Sequence, residues 1–379
     1  PELSFRERRT TGIVRDRLAA LGLTPLPCPT ETGAFALLRG GRPGRTVLLR
    51  ADIDALPIVE ESGEPFTSEV QGRMHACGHD AHVAMMLAAA RLLAARAEDL
   101  PGSYLFVFQP AEEIISGARA MLDGGLLDGP PGPSRHGGVE APAAAIGLHI
   151  FSQLASGSIA ARPGLQWAGA DAFEVRFTGP GGHGGMMGRF GNVIAAQSFL
   201  VERLESVVEG LEHEGTRCHV VAGLVESDGA FNVVPRRVRV QGGIRSLTAD
   251  LREESLDRLR GLLLETETEF GVSAELDLRH RTIPLVNDAA ATATVLEVAR
   301  AAAGPDAVIE LPAPMTVSDD MAEFLDRIPG CYFVLGAAPP GAAPPPAHHA
   351  PDFRIDEAAM PLGVSVLAGA AVALARQPA

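Results

Sequence analysis

At 379 residues the chain is long enough for about two domains, and with 46% hydrophobic residues it can bury substantial cores, which excludes a disordered protein. A formal net charge of −15 argues against a nucleic-acid binder, which would normally carry a basic face. The four cysteines, Cys28, Cys77, Cys218 and Cys331, are scattered without a CxxC pair, so a reducing, cytoplasmic setting is expected rather than a disulfide framework.

Pro1 to Ala20 carries Arg and Glu but no apolar signal core, and Arg6 to Leu21 reads as an amphipathic helix. Gly33 to Leu38 and Thr46 to Arg50 read as short strands between Gly/Pro turns. The second runs into Asp52 and Asp54, two carboxylates just past a strand's carboxyl end, where open α/β sheets place their chemistry. Turn formation alone would explain two aspartates, but their position marks at least one as functional.

Met74 to His82 holds His75, Cys77, His79, Asp80 and His82 within nine residues. Thiolate and imidazoles at this density are the ligands that zinc and similar divalent metals prefer. Cys77 and His79 could reach one metal if the backbone turns tightly at Gly78. A helix is expected over Val83 to Ala97, with Asp80 near its start, where a carboxylate can cap free N–H groups. His75 and His82 could simply line the site.

Ser103 to Phe108 reads as a central strand ending in Gln109, Pro110, Ala111, Glu112 and Glu113. Of two adjacent glutamates at such a place, one can bind metal while the other acts as general base. Gly129 to Val139 reads as an exposed Pro/Gly loop, and Ala143 to Ile150 as a buried strand that carries His149 near its end. A lone histidine on an apolar strand is usually a core residue. This one is the third polar insertion at a strand terminus, which makes it a ligand candidate.

From Gly169 the texture changes to clean alternation. Strands are expected at Asp171 to Thr178, Cys218 to Glu226, Arg236 to Arg245 and Ser273 to Arg281, with helices at Asn192 to Glu209 and Leu251 to Phe270. This βαββαβ order predicts a ferredoxin-like α+β domain, residues 169–283, inserted into a first domain made of residues 1–168 and 284–379. The first domain is expected to be α/β, a mixed sheet with helices on both faces. His183 lies in a Gly-rich loop whose backbone could approach a ligand closely. Beyond Asp288 come helices at Ala289 to Ala303 and from Met315, a strand at Cys331 to Gly336, and a Pro/Ala/Gly loop delivering His348 and His349. Ala358 to Ala375 is apolar enough to raise the membrane question, but Pro361 and Gly363 interrupt it and a buried terminal helix is expected.

Together these blocks resemble one family, the zinc-dependent amidohydrolases related to aminoacylase and carboxypeptidase G, in the branch of hippurate hydrolase and the hydrolases of auxin–amino-acid conjugates. The segments that carry the resemblance are Arg50 to Pro57, Met74 to His82, Phe108 to Glu113, Gly147 to Ile150, Gly181 to His183, Phe231 to Pro235, Pro329 to Cys331 and His349 to Phe353, in unbroken order. The resemblance implies two divalent metals per chain, zinc first with manganese, cobalt or nickel as alternatives, held by Cys77, His79, Glu113, His149 and His349. It implies Glu112 as general base, Asp52 or Asp54 with Asp80 orienting the ligands from behind, and a homodimer formed through the inserted domain, which also acts as a lid. His183 would be lent to the active site, and Asn232 would lie on the substrate side; Arg245, in the strand leading away from the Asn232 loop, is a candidate for the substrate carboxylate, against the alternative of an ordinary surface arginine. Register with the family selects His349 over His348. The chain departs from the family pattern after the Gly-Gly-His loop, where Met187 and Gly188 replace Pro-His.

The implied activity is hydrolysis of an N-acyl amino acid or similar conjugate to a carboxylic acid and an amino acid. A dipeptidase or aminopeptidase is the rival among enzymes. A non-catalytic, metal-stabilised conjugate-binding protein is the rival outside them, but such a binder has no need of Glu112 beside Glu113. No nucleic-acid or membrane partner is expected.

Overall fold

The computed structural model describes residues 1–23, 25–127 and 141–377; the expected Gly129 to Val139 loop lies outside the described residues. The chain divides into two compact units, Pro1–Gly164 with Val286–Pro312 and Asp320–Ala379, and Leu165–Leu285 with Ala313–Asp319.

The first unit opens with helix α1 (Arg8–Ala20), followed by β1 (Pro25–Leu26), β2 (Ala34–Arg39) and β3 (Arg42–Asp52). Helix α2 (His79–Ala94), β4 (Pro101–Gln109), helix α3 (Gly117–Asp123), β5 (Ala144–Phe151) and β6 (Ile159–Ala161) come next. They build an eight-stranded mixed sheet in the order β1, β2, β4, β3, β5, Gly330–Gly336, β6, Val308–Glu310. β3, β4, β5 and Gly330–Gly336 run parallel at its centre, while β2 lies antiparallel to β4. Every residue of β5 and of Gly330–Gly336 is buried, as a strand covered on both faces requires.

Helix α2 does not wait for Val83. It starts at His79, because Gly78 takes the left-handed conformation (φ +85°) at its N-cap. That puts His79 and His82 on the first turn, both buried. The terminal helical segment, Glu357–Arg376, is long and apolar enough to cross a membrane, but its α-helix, Met360–Arg376, buries Val366, Leu367 and Leu374 in the same core as α2. Each such side chain contributes roughly 1.5–3 kcal/mol by leaving water, so the core accounts for its apolar face.

In the second unit, strand Gly169–Thr178, helix Val193–Arg203, strands His219–Ser227 and Arg237–Ser246, helix Ala249–Phe270 and strand Ser273–Thr282 follow one another in βαββαβ order. The sheet runs His219–Ser227, Arg237–Ser246, Gly169–Thr178, Ser273–Thr282, antiparallel throughout, which is the ferredoxin-like arrangement. Phe173, Val175 and Phe177 point to one face and pack with Leu200, Leu256 and Leu259 of the helices. The helix expected over Asn192 to Glu209 is shorter: Asn192 caps it through Ile194 N and Ala195 N, and a 3-10 turn replaces its end at Leu204–Val207. No helix begins at Met315. The segment Ala313–Asp319 belongs to the second unit, where Met315 N donates to Gln166 O and Ala168 N donates to Met315 O. A short helix, Met321–Leu325, starts only after Asp320.

Candidate metal centre

Because β3, β4 and β5 are parallel, their carboxyl ends share one edge of the sheet, and the apolar runs end there in polar residues. Asp52 closes β3, Gln109 closes β4, and His149 stands two residues before the end of β5. Asp54, just beyond β3, ties the edge together. Its Oδ1 accepts from Glu112 N at 3.0 Å, and its Oδ2 accepts from Glu113 N at 3.0 Å and Ser4 Oγ at 2.7 Å. The two glutamates therefore leave β4 in a turn clamped to β3, with Ala111 in the left-handed region (φ 56°). Burial pushes the Asp54 carboxyl up, but His79 and the donated hydrogen bonds more than reverse this and hold it below the usual range.

Backbone partners decide what each histidine can do. His79 Nδ1–H donates to the Asp54 carbonyl at 3.0 Å, which leaves Nε2 for the site. That atom is buried and makes no hydrogen bond among the described residues, with Glu112 Oε2 at 3.9 Å and Glu113 Oε1 at 3.8 Å. His149 Nδ1–H donates to Ile150 O at 2.8 Å, and its Nε2 faces Cys77 Sγ at 3.4 Å. His82 differs. Its Nε2 accepts from Ile150 N at 2.9 Å and its Nδ1–H donates to Asp52 Oδ1 at 2.6 Å, so both nitrogens are committed. Histidine ligands that donate their outer N–H to a carbonyl are the usual way to fix the metal-facing nitrogen.

The donors fall into overlapping groups whose ligand atoms lie within 4.8 Å of one another: Cys77, His79 and His149; Cys77, Glu113 and His349; His79, Glu112 and Glu113. His349 reaches in from a left-handed backbone (φ 64°), with Nε2 3.4 Å from Glu113 Oε2. The electrostatics fit a cation. Burial and then Glu113 push the Cys77 thiol up, so a thiolate there needs a positive partner. Burial opposes charge on His79, but Asp52 and Cys77 prevail and raise it well above its ordinary value. A shell that holds a proton so strongly also suits a metal that displaces it. Burial, then His82 and His348, keeps His149 neutral and its lone pair available. Thiolate, imidazole and carboxylate in one closed cluster fit zinc and related divalent ions.

The sequence profile of Peptidase family M20/M25/M40 matches residues 48–373. The chain is 33% identical over 360 residues to the N-acetyl-L-cysteine deacetylase of Bacillus subtilis, covering 95% of this chain and 82% of that one. It is 32% identical over 385 residues to the IAA-amino acid hydrolase ILR1-like 2 of Arabidopsis thaliana, covering 100% and 83%. Among solved structures, a dinuclear metal-binding peptidase of family M20 from Bacillus subtilis superposes with a TM-score of 0.76 at 30% identity, covering 100% of this chain and 95% of that one. The chain belongs to Peptidase family M20/M25/M40. It is a metal-dependent hydrolase of amide bonds.

In this M20 chain the structure brings Cys77, His79, Glu113, His149, His349 and Glu112 together on one edge, with Asp52 and Asp54 behind them. Asp80 stands apart from that support. It is exposed on the first turn of α2, and its Oδ1 accepts from Ala81 N. His183 and Asn232 lie in the second unit and meet there: His183 pairs with Val233, and Gly184 N donates to Asn232 O at 2.8 Å. Arg245 pairs instead with His219 and Ala170 within its sheet.

Behind the M20 donors lies a buried charged network whose partners the motifs do not show. Arg50 is buried and donates to Asp52 Oδ2 at 2.8 Å, Gln109 Oε1 at 2.8 Å, Tyr332 Oη at 3.1 Å and Asp320 Oδ1 at 2.9 Å. Burial raises Asp52, but His79, His82 and Arg50 overcome it and hold the carboxyl well below its ordinary value. An arginine inside an apolar strand run was the available signal, since a buried arginine requires partners.

Proposed function

We propose that this chain cleaves the amide bond of N-acyl amino acids or similar conjugates, releasing a carboxylic acid and an amino acid, at two divalent metals. Cys77, His79, Glu113, His149 and His349 would hold them. Zinc suits the thiolate and imidazoles best, with manganese, cobalt or nickel compatible with the mixed donor set. The observation that carries the reading is the pair of adjacent glutamates, both anchored through their amides to Asp54, with Glu112 beside the His79 donor. The N-acetyl-L-cysteine deacetylase and the IAA-amino acid hydrolase support the substrate class.

Bound metals would polarise the scissile carbonyl and bring the pKa of a water toward neutrality. Glu112 would take a proton from the attacking water and deliver it to the leaving amine. Asp54 would keep Glu112 and Glu113 in register, and Asp52 would hold His82 against the back of the site. His183 would donate to the developing oxyanion, a contribution on the order of 3 kcal/mol when preorganised. Asn232 and Arg245 would serve the substrate. The chain would work as a homodimer through its second unit, whose edge strand His219–Ser227 exposes Val221 and Val225. Four free cysteines suit a reducing, cytoplasmic setting.

The test is a panel of N-acetyl, N-benzoyl and indoleacetyl amino acids beside dipeptides, assayed with zinc, manganese and cobalt. Turnover of the N-acyl amino acids and its loss on exhaustive chelation are expected. A preference for dipeptides would favour the peptidase alternative, and full activity after chelation would refute the metal reading.

A further inference from the structure

Next to Cys77 stands a histidine that register with the family set aside. The His348 ring lies between Phe151 and Phe353, with ring centroids 5.1 and 4.7 Å away. Its Nδ1 is 3.7 Å from Cys77 Sγ, and its Nε2 is 3.3 Å from Ser152 N. The loop that carries it is tied to the end of β5, since Ser152 Oγ donates to Pro346 O at 2.6 Å. Ring orientation is therefore set from three sides.

A backbone N–H only donates, so His348 Nε2 offers its lone pair to Ser152, and the proton of a neutral ring then sits on Nδ1. That proton points at the sulfur. The polarity is the reverse of His79 and His149, whose Nδ1–H groups go outward to carbonyls and whose Nε2 lone pairs face the centre. If Nδ1 were itself a metal ligand, the ring would have to accept at both nitrogens and carry no proton, an imidazolate among aromatic side chains. The hydrogen-bond pattern favours the donor.

We propose that His348 is a positioning residue that donates an Nδ1–H hydrogen bond to the Cys77 thiolate and so sets the metal preference of the centre. The inference rests on Cys77 being a metal ligand. A hydrogen bond draws charge from the sulfur and makes it a weaker, harder donor. Softer zinc loses more by this than manganese does, so the bond narrows the gap between them. Any general loosening of the loop affects both metals and cancels in their ratio.

The experiment uses the full chain loaded with cobalt(II), as wild type, His348→Phe and His348→Asn. The Asn amide nitrogen can occupy the place of Nδ1 and keep the donor, whereas Phe keeps the ring and removes it. In the Phe variant the thiolate-to-cobalt charge-transfer band should move to lower energy, with cobalt stoichiometry unchanged, and the Asn variant should move it back. Competitive titration should show the zinc-over-manganese affinity ratio rising on the order of tenfold in the Phe variant. A band at the same energy in wild type and Phe variant overturns the proposal. So does loss of a cobalt ion in the Phe variant, which would make His348 a ligand. If the Phe variant does not fold, His348→Ala serves for the same comparison. Absence of a thiolate band in the wild type refutes Cys77 ligation itself, whereas a band indifferent to His348 refutes this inference alone.

Discussion

Arg50→Met measures how much stability rests on the charges buried behind the donors. The side chains of Arg50 and Asp52 are fully buried and that of Asp320 is 1% exposed, and the two ion pairs close at 2.8 and 2.9 Å. The methionine variant keeps the volume but leaves Asp52 and Asp320 in the interior without their cation. Removing one partner from a buried ion pair costs about 3–5 kcal/mol, against a total stability of roughly 5–15 kcal/mol. In a large domain each kcal/mol is worth about 2–4 °C, so the melting temperature should fall by roughly 6–20 °C. Asp320→Asn should be milder, since Arg50 stays paired with Asp52. The double variant then has one buried carboxylate fewer than Arg50→Met and should be less destabilised than the sum of the singles, by about 1–3 kcal/mol. Thermal and urea unfolding followed by circular dichroism on all four proteins provides the cycle. Additive losses, or an Arg50→Met loss under about 0.5 kcal/mol, would show that these residues do not act as a charged network.

Glu112→Gln should retain metal and lower kcat by about 100-fold or more, while Glu113→Gln should lose metal; equal metal loss by elemental analysis would mean that the roles are misassigned. Gly78→Ala should lower both metal content and melting temperature. Its Cβ would stand 2.4 Å from Ile150 Cγ2 at φ +85°, a backbone that alone costs about 1–2 kcal/mol for a residue with a side chain, and a variant with wild-type metal binding would contradict this. If the homodimer shares its sites, refolding Glu112→Gln with His183→Ala chains should restore about a quarter of the wild-type sites, because half the dimers are mixed and each has one intact site of two. No rescue, with mixed dimers verified by differently tagged chains, would assign both residues to one chain's site.

The strand-end clusters were legible because each interrupts an apolar run with groups that are costly to bury without function: Asp52 at the end of β3, Glu112 and Glu113 after β4, His149 within β5. The βαββαβ unit was legible from period-two alternation such as Phe173, Val175 and Phe177, because a sheet with one covered face writes its pairing into the sequence. Local patterns of this kind depend on neighbours within one element, so they survive in one dimension.

What the tertiary structure decided depends on partners far along the chain. His79 and His82 look alike in sequence, yet one is left with a metal-facing nitrogen and the other is not. The choice lies with the Asp54 carbonyl and the Ile150 N–H, the latter 68 residues from His82. His348 and His349 are separated in the same way, one held by Ser152 N at 196 residues' distance and the other turned to Glu113 by a left-handed backbone. Arg50 and Asp320 meet across 270 residues. Side-chain type sets which chemistry is available at each position, but protonation and direction are set by hydrogen bonds to whatever backbone folding brings alongside, and no local pattern records that backbone.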